Sequence, residues 1–118
     1  MFQLSAMRRT DIPEHERNDF HLYIDEFQSF STTSFVSILS EARKYRLCLT
    51  LSHQYIKQLP QSLQDGIFGN VGTLISLRVG QSDATVLSEQ FGGGLVPRHF
   101  TDLGNHRACV KQLSGGEY

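Results

Sequence analysis

The stretch Phe20–Phe30, FHLYIDEFQSF, constrains the fold more than any other part of the chain. Four residues of strand type, His21, Leu22, Tyr23 and Ile24, run directly into two adjacent carboxylates, Asp25 and Glu26. Aromatic and β-branched side chains favour a pleated strand, and a carboxylate at the end of a buried strand is costly unless it holds a metal, pairs or does chemistry. The alternative is a strand end whose acids face solvent.

The rest of the chain alternates helix and strand signals around this stretch. Phe2, Leu4 and Met7 suggest the last turns of a helix over Met1–Arg9, and residues 10–19, polar and Pro-containing, read as a surface linker. Ser31, Thr32, Thr33 and Ser34 offer capping side chains before Phe35, Ile38, Leu39, Ala42 and Tyr45, which recur at helical spacing. Lys44 lies opposite that apolar face and Arg43 on its flank. Leu47 to Ser52 predicts a second strand, apolar on both faces and therefore expected to be covered by helices on each side.

Pro60 marks a helix start, with Leu63, Ile67 and Phe68 inward and Gly69-Asn70 as the stop. Thr73 to Val79 predicts a third strand. Ser82 and Asp83 are expected to cap a helix carrying Ala84, Leu87 and Phe91, which Gly92 to Gly94 terminate. Pro97 to Leu103 allows one more helical turn. His106 to Leu113 alternates like an edge strand, and residues 114–118 read as a frayed tail.

Strands separated by helices define an α/β fold with parallel strands and right-handed crossovers, whose ligands bind at the carboxyl ends of the strands. That rule gathers three clusters at one edge: Asp25-Glu26, Ser52-His53-Gln54 and Arg78-Val79-Gly80. An apolar strand ending in Asp-Glu suits nucleotide hydrolysis. The first acid holds magnesium, directly or through water, and the second orients or deprotonates the attacking water. Gln54 ends the next strand, one strand-helix-strand unit further on, where a neutral amide can hydrogen-bond both a phosphate oxygen and that water. It could equally cap the following helix.

Composition narrows the classes. At 118 residues, with 39% hydrophobic and 19% charged residues, the chain is sized for one globular domain. A formal net charge of -1 gives no case for wrapping nucleic acid by bulk charge. Cys48 and Cys109 have no metal-ligand spacing and read as reduced core residues. No stretch reaches the roughly 18 apolar residues of a membrane helix, and the amino end lacks the order of a secretory signal, so a cytoplasmic location is expected. No two histidines have the spacing of a helical zinc pair, although His21 and His53 flank the acids.

Taken together and in order, FHLYIDEFQSF, SILSEARKYRLCLTLSHQYIKQLP and GIFGNVGTLISLRVG resemble the carboxyl-terminal half of the RecA-like motor of TraG/TraD-type conjugative coupling proteins. These are type IV secretion ATPases of the wider FtsK/HerA group, and the resemblance runs from Asp11 to Leu113. It implies a partial RecA-like P-loop NTPase fold, a mostly parallel sheet flanked by helices with an antiparallel last strand. By the same resemblance Asp25 and Glu26 match the Walker B acids, Asp25 holding Mg2+, and Gln54 matches the strand-end sensor that also contacts nucleotide. Arg43 matches a position assigned an arginine finger acting in trans on a neighbouring subunit, with Arg78 the competing candidate in cis.

The resemblance further implies ATP and Mg2+ as cofactors of the complete protein. Its partners would be DNA, relaxosome proteins and type IV secretion proteins, in a homo-hexamer at the inner face of the cell membrane. One departure is large. No G-x-x-x-x-G-K-[ST] occurs, and Gly92 to Gly94 and Gly115-Gly116 lack the following Lys-Ser or Lys-Thr that cradles phosphate. In such motors the strand bearing that loop lies between the strands matching Leu47–Ser52 and Thr73–Val79. The chain is therefore expected to be a fragment, residues 1–118 from Walker B onward, with an apolar gap in its sheet and poor ATP binding alone. Two other functions compete: a non-catalytic relaxosome-docking module, and a metal-dependent hydrolase using Asp25, Glu26 and His53.

Overall fold

In a computed structural model that describes residues 11–30 and 33–113, β1 (Phe20–Ile24) lies parallel to β2 (Leu47–Leu51), in register from Phe20 opposite Leu47 to Ile24 opposite Leu51. The helical turns expected at Met1–Arg9, the capping residues Ser31 and Thr32, and the tail 114–118 fall outside the described residues. Strand side chains alternate between faces, so Leu22, Ile24, Leu49 and Leu51 turn to one side. There α1 (Thr33–Glu41) and α2 (Gln61–Asn70) close a core of Phe27, Phe35, Leu39, Leu59, Leu63 and Ile67. The two helices approach closely at Gly66, where a Cβ would come within 3.1 Å of Val36 Cγ1.

A second unit follows. Strand β3 (Thr73–Ser76) pairs antiparallel with β4 (Cys109–Gln112), Ile75 opposite Val110, and Leu74 and Cys109 face α3 (Gln81–Phe91) and α4 (Arg98–Thr101). Ile56, Ala84, Leu87, Phe91 and Phe100 form this core, in which the rings of Phe91 and Phe100 meet edge to face at 5.0 Å. Gly92, Gly93 and Gly94 all take positive φ and end α3 as the triple glycine predicts. Asn70 ends α2, and Pro60 stands just before its first residue.

Several expectations need correction. The mostly parallel sheet is instead two separate ladders, β1–β2 and β3–β4, and β2 shares no ladder with β3. The antiparallel last strand is present as β4. Among the described residues, helices cover β2 on one face: Cys48 and Thr50 are exposed beside Tyr23, which is 72% exposed. Apolar composition in so short a strand therefore did not mean burial on both sides. Cys48 is accordingly a free surface thiol and not a core residue, while Cys109, also free, sits at the margin of the second core.

Strand β3 stops at Ser76, three residues short of Val79, because β4 reaches no further as its partner. Ser82 and Asp83 lie inside the first turn of α3 with Gly80 at the cap, so neither caps that helix. Among the described residues no helix is long and apolar enough to cross a membrane.

Candidate functional site

Parallel pairing decides what meets at the edge of the first sheet. With Ile24 level with Leu51, the next residues outward are Asp25 and Ser52. The Ser52 hydroxyl donates to Asp25 Oδ1, which also accepts the Glu26 amide at 2.9 Å, so one carboxylate oxygen is occupied by protein donors. The chain turns sharply here. Glu26 has φ 47, a left-handed conformation that costs a non-glycine residue of order 1–2 kcal/mol. Phe27 N donates back to Ser52 O at 3.1 Å and Phe27 is buried against Phe35, which holds that turn in place.

Gln54 then faces the acid pair: its Nε2 donates to Glu26 Oε1 at 3.0 Å. Two of the three clusters expected at the strand ends are thus joined by direct hydrogen bonds. The third, Arg78-Val79-Gly80, shares a cleft with Gln54. This open cleft of about 400 Å³ is lined by Gln54 and Tyr55 together with Arg78, Val79, Gly80, Ser82, Asp83 and Thr101. Arg78 therefore borders the same cleft as Gln54, at the amino end of α3.

Arg43 lies elsewhere. It belongs to the turn after α1, whose Arg46 carbonyl accepts from Phe20 N at the start of β1, so it occupies the sheet edge opposite Asp25. The same turn is fastened by Arg17, which donates to Lys44 O at 2.6 Å and to Ile12 O at 2.8 Å, and by the Arg46–Asp19 ion pair at 2.8 Å.

His53 does not join the acids. Its ring stands edge-on to Phe27 at 5.4 Å and its Nδ1 is buried with no hydrogen-bond partner among the described residues. Burial pushes its pKa below the usual 6.5, against the opposing pull of the Asp83 carboxylate and a backbone hydrogen bond at Tyr55. Among the described residues no group of three or more His, Cys, Asp or Glu side chains could hold a metal ion.

Two contributors were not legible as such. Ser52 was visible as a strand end, but its hydroxyl contact needed the β1–β2 register. Asp83 read as a helix cap, yet its carboxylate is buried and accepts the amides of Ile56 and Lys57, 27 and 26 residues away.

These features describe a mixed α/β protein with a polar site at the carboxyl ends of two parallel strands. The family model described as the TraM recognition site of TraD and TraG matches residues 19–105, and the chain belongs to that family. A search of curated proteins finds no match.

Proposed function

We propose that the chain supplies the acid and sensor half of the ATP site in a DNA-translocating coupling protein of conjugation. The observation that carries this reading is the Gln54–Glu26 hydrogen bond beside Asp25 and Ser52. Within it, Glu26 positions and deprotonates the attacking water. Gln54, hydrogen-bonded to Glu26 and exposed to the cleft, responds to the loss of a phosphate by changing partner.

Both hydrogen bonds that Asp25 accepts among the described residues fall on Oδ1, and an acid, a hydroxyl and an amide together would suit a Mg2+ ion that retains most of its own water. The ion would neutralise charge on the phosphates. Arg78, on the cleft wall shared with Gln54, is the arginine placed to act within one chain; Arg43 could act only on a neighbouring subunit of a ring such as a hexamer.

The phosphate cradle is the missing half. No phosphate-binding glycine loop occurs in the sequence, so no step of phosphate binding is assigned to these residues. Among the described residues β2 and β3 share no ladder, which is compatible with a further strand between them, as the resemblance implies. A separate stretch of polypeptide, in the same protein or another, would then complete both the sheet and the site. Titrating the purified chain with a fluorescent ATP analogue and Mg2+ tests this: binding weaker than micromolar is expected, and micromolar binding would refute the half-site.

The family description favours a second reading, in which the chain is a docking module for the relaxosome protein TraM without catalysis. In a full-length coupling protein carrying this chain, ATP turnover and TraM binding of Glu26→Gln, measured together, separate the two. Lost ATP hydrolysis with TraM binding intact supports the motor reading, and full hydrolysis supports docking alone.

A further inference from the structure

The short 3-10 turn Ile56–Gln58 begins, like any helix start, with amides that it cannot satisfy itself, and Tyr55 at its cap contributes no side-chain hydrogen bond. Asp83, from the first turn of α3, does so from a distance. Its Oδ2 accepts from Ile56 N at 3.2 Å and its Oδ1 from Lys57 N at 3.3 Å, and the residue is only 4% exposed. A buried carboxylate with both oxygens on backbone amides is a rigid connection, since breaking it leaves a charge stranded away from water.

The segment it grips joins the two cores. Ile56 is buried in the second and Leu59 in the first. Gln54 lies two residues before the first gripped amide and two after Ser52. Ser52 is itself fixed, its amide donating to Ile24 O at 2.9 Å and its carbonyl accepting from Phe27. Gln54 is therefore strung between two anchored points, one in each half of the molecule. Asp83 also lies in the turn that follows Arg78 and Gly80, so whatever moves the Arg78 wall of the cleft moves the clamp.

We propose that Asp83 is a positioning residue: by clamping the Ile56 and Lys57 amides it sets Gln54 against Glu26 and couples the Arg78 side of the cleft to the acid pair. Its effect on turnover rests on the hydrolytic reading above; its effect on Gln54 does not.

Asp83→Asn tests both, because it keeps the side chain's shape while turning one acceptor into an NH2 that faces an N–H donor. In the 118-residue chain, the Ile56 and Lys57 amides should exchange with solvent about tenfold faster or more, while the Leu63 amide, bonded to Pro60 O, keeps its rate. The Gln54 side-chain amide signals in the NMR spectrum should shift toward those of Glu26→Ala. Unmoved Gln54 signals alongside deprotected Ile56 and Lys57 would overturn the proposal.

If Asp83→Asn does not fold, the unaltered chain still decides. Its Ile56 and Lys57 amides should be as protected as that of buried Ala84, and protection as low as that of exposed Asn105 would overturn the clamp. In a full-length coupling protein carrying this chain, Asp83→Asn combined with Gln54→Ala should lose no more turnover than Gln54→Ala alone. Losses that add independently would contradict action through Gln54. Shifted Gln54 signals with turnover untouched by Gln54→Ala would sustain the clamp and remove the hydrolytic reading.

Discussion

In the parallel half of the molecule β1 and β2 end at the same edge, so Asp25, Glu26, Ser52 and Gln54 meet there without any loop having to travel. In the antiparallel half β3 and β4 run in opposite directions, and it is the carboxyl end of β3 that leads to the cleft, which Arg78 and Gly80 line together with Ser82 of α3 and Thr101 of α4. Both halves bury helices against one sheet face and leave the other open, with Tyr23 exposed in the first and Ile75 and Val110 in the second. The difference teaches where chemistry can concentrate. Parallel strands collect polar ends into one site, whereas the antiparallel pair presents a wall to it.

The arginines offer the sharpest way to break this contrast. In a full-length coupling protein, Arg78→Ala should lower ATP turnover by about 10³-fold or more with nucleotide affinity spared, as for loss of an arginine finger. A comparable loss from Arg43→Ala, with Arg78→Ala silent, would transfer the role to a neighbouring subunit and detach the second half from the site.

Core truncations test whether the halves are separate packing units. Phe100→Ala, at 0% exposure, should destabilise by about 3–5 kcal/mol, and Leu63→Ala, at 2%, by about 2–5 kcal/mol. Residue-level hydrogen exchange should show Phe100→Ala deprotecting α3 more than β1 and β2, and Leu63→Ala the reverse. Equal deprotection throughout would mean a single cooperative unit held by the Asp83 clamp.

His53 sits at the junction of the halves and gives a pH signature. Its folded-state pKa lies below its unfolded value near 6.5, so the unfolded chain binds more protons just below that value. Stability is then complete above about pH 6.5 and falls as the pH drops from there toward the folded pKa. Urea midpoints measured across this window should decline for the unaltered chain and flatten for His53→Gln.

The smallest effect concerns strain. Glu26→Gly relieves a positive φ in the first half and should raise stability by up to about 1 kcal/mol in urea unfolding. Gly92→Ala in the second, at φ 63 and ψ -150, should lower it by about 1–3 kcal/mol.

Much of this was legible in residue order. The Phe20 strand, the helix after Pro60, the glycine stop at Gly92 and the meeting of Asp25-Glu26 with Gln54 all follow from local chemistry and the strand-end rule. What escaped depended on distant partners. The length of β3 was set by β4, the open face of β2 by the helices that do not cover it, and the role of Asp83 by amides far away in sequence. No periodicity encodes these.

The central claim is that Glu26 prepares water at a site this chain half-builds. Steady-state ATP turnover of a full-length coupling protein carrying Glu26→Gln tests it most directly, with TraM binding followed in parallel. Loss of a general base predicts a fall of about 10²–10⁴-fold with TraM binding retained. Unchanged turnover would contradict the account and leave the acid pair a surface feature of a docking module.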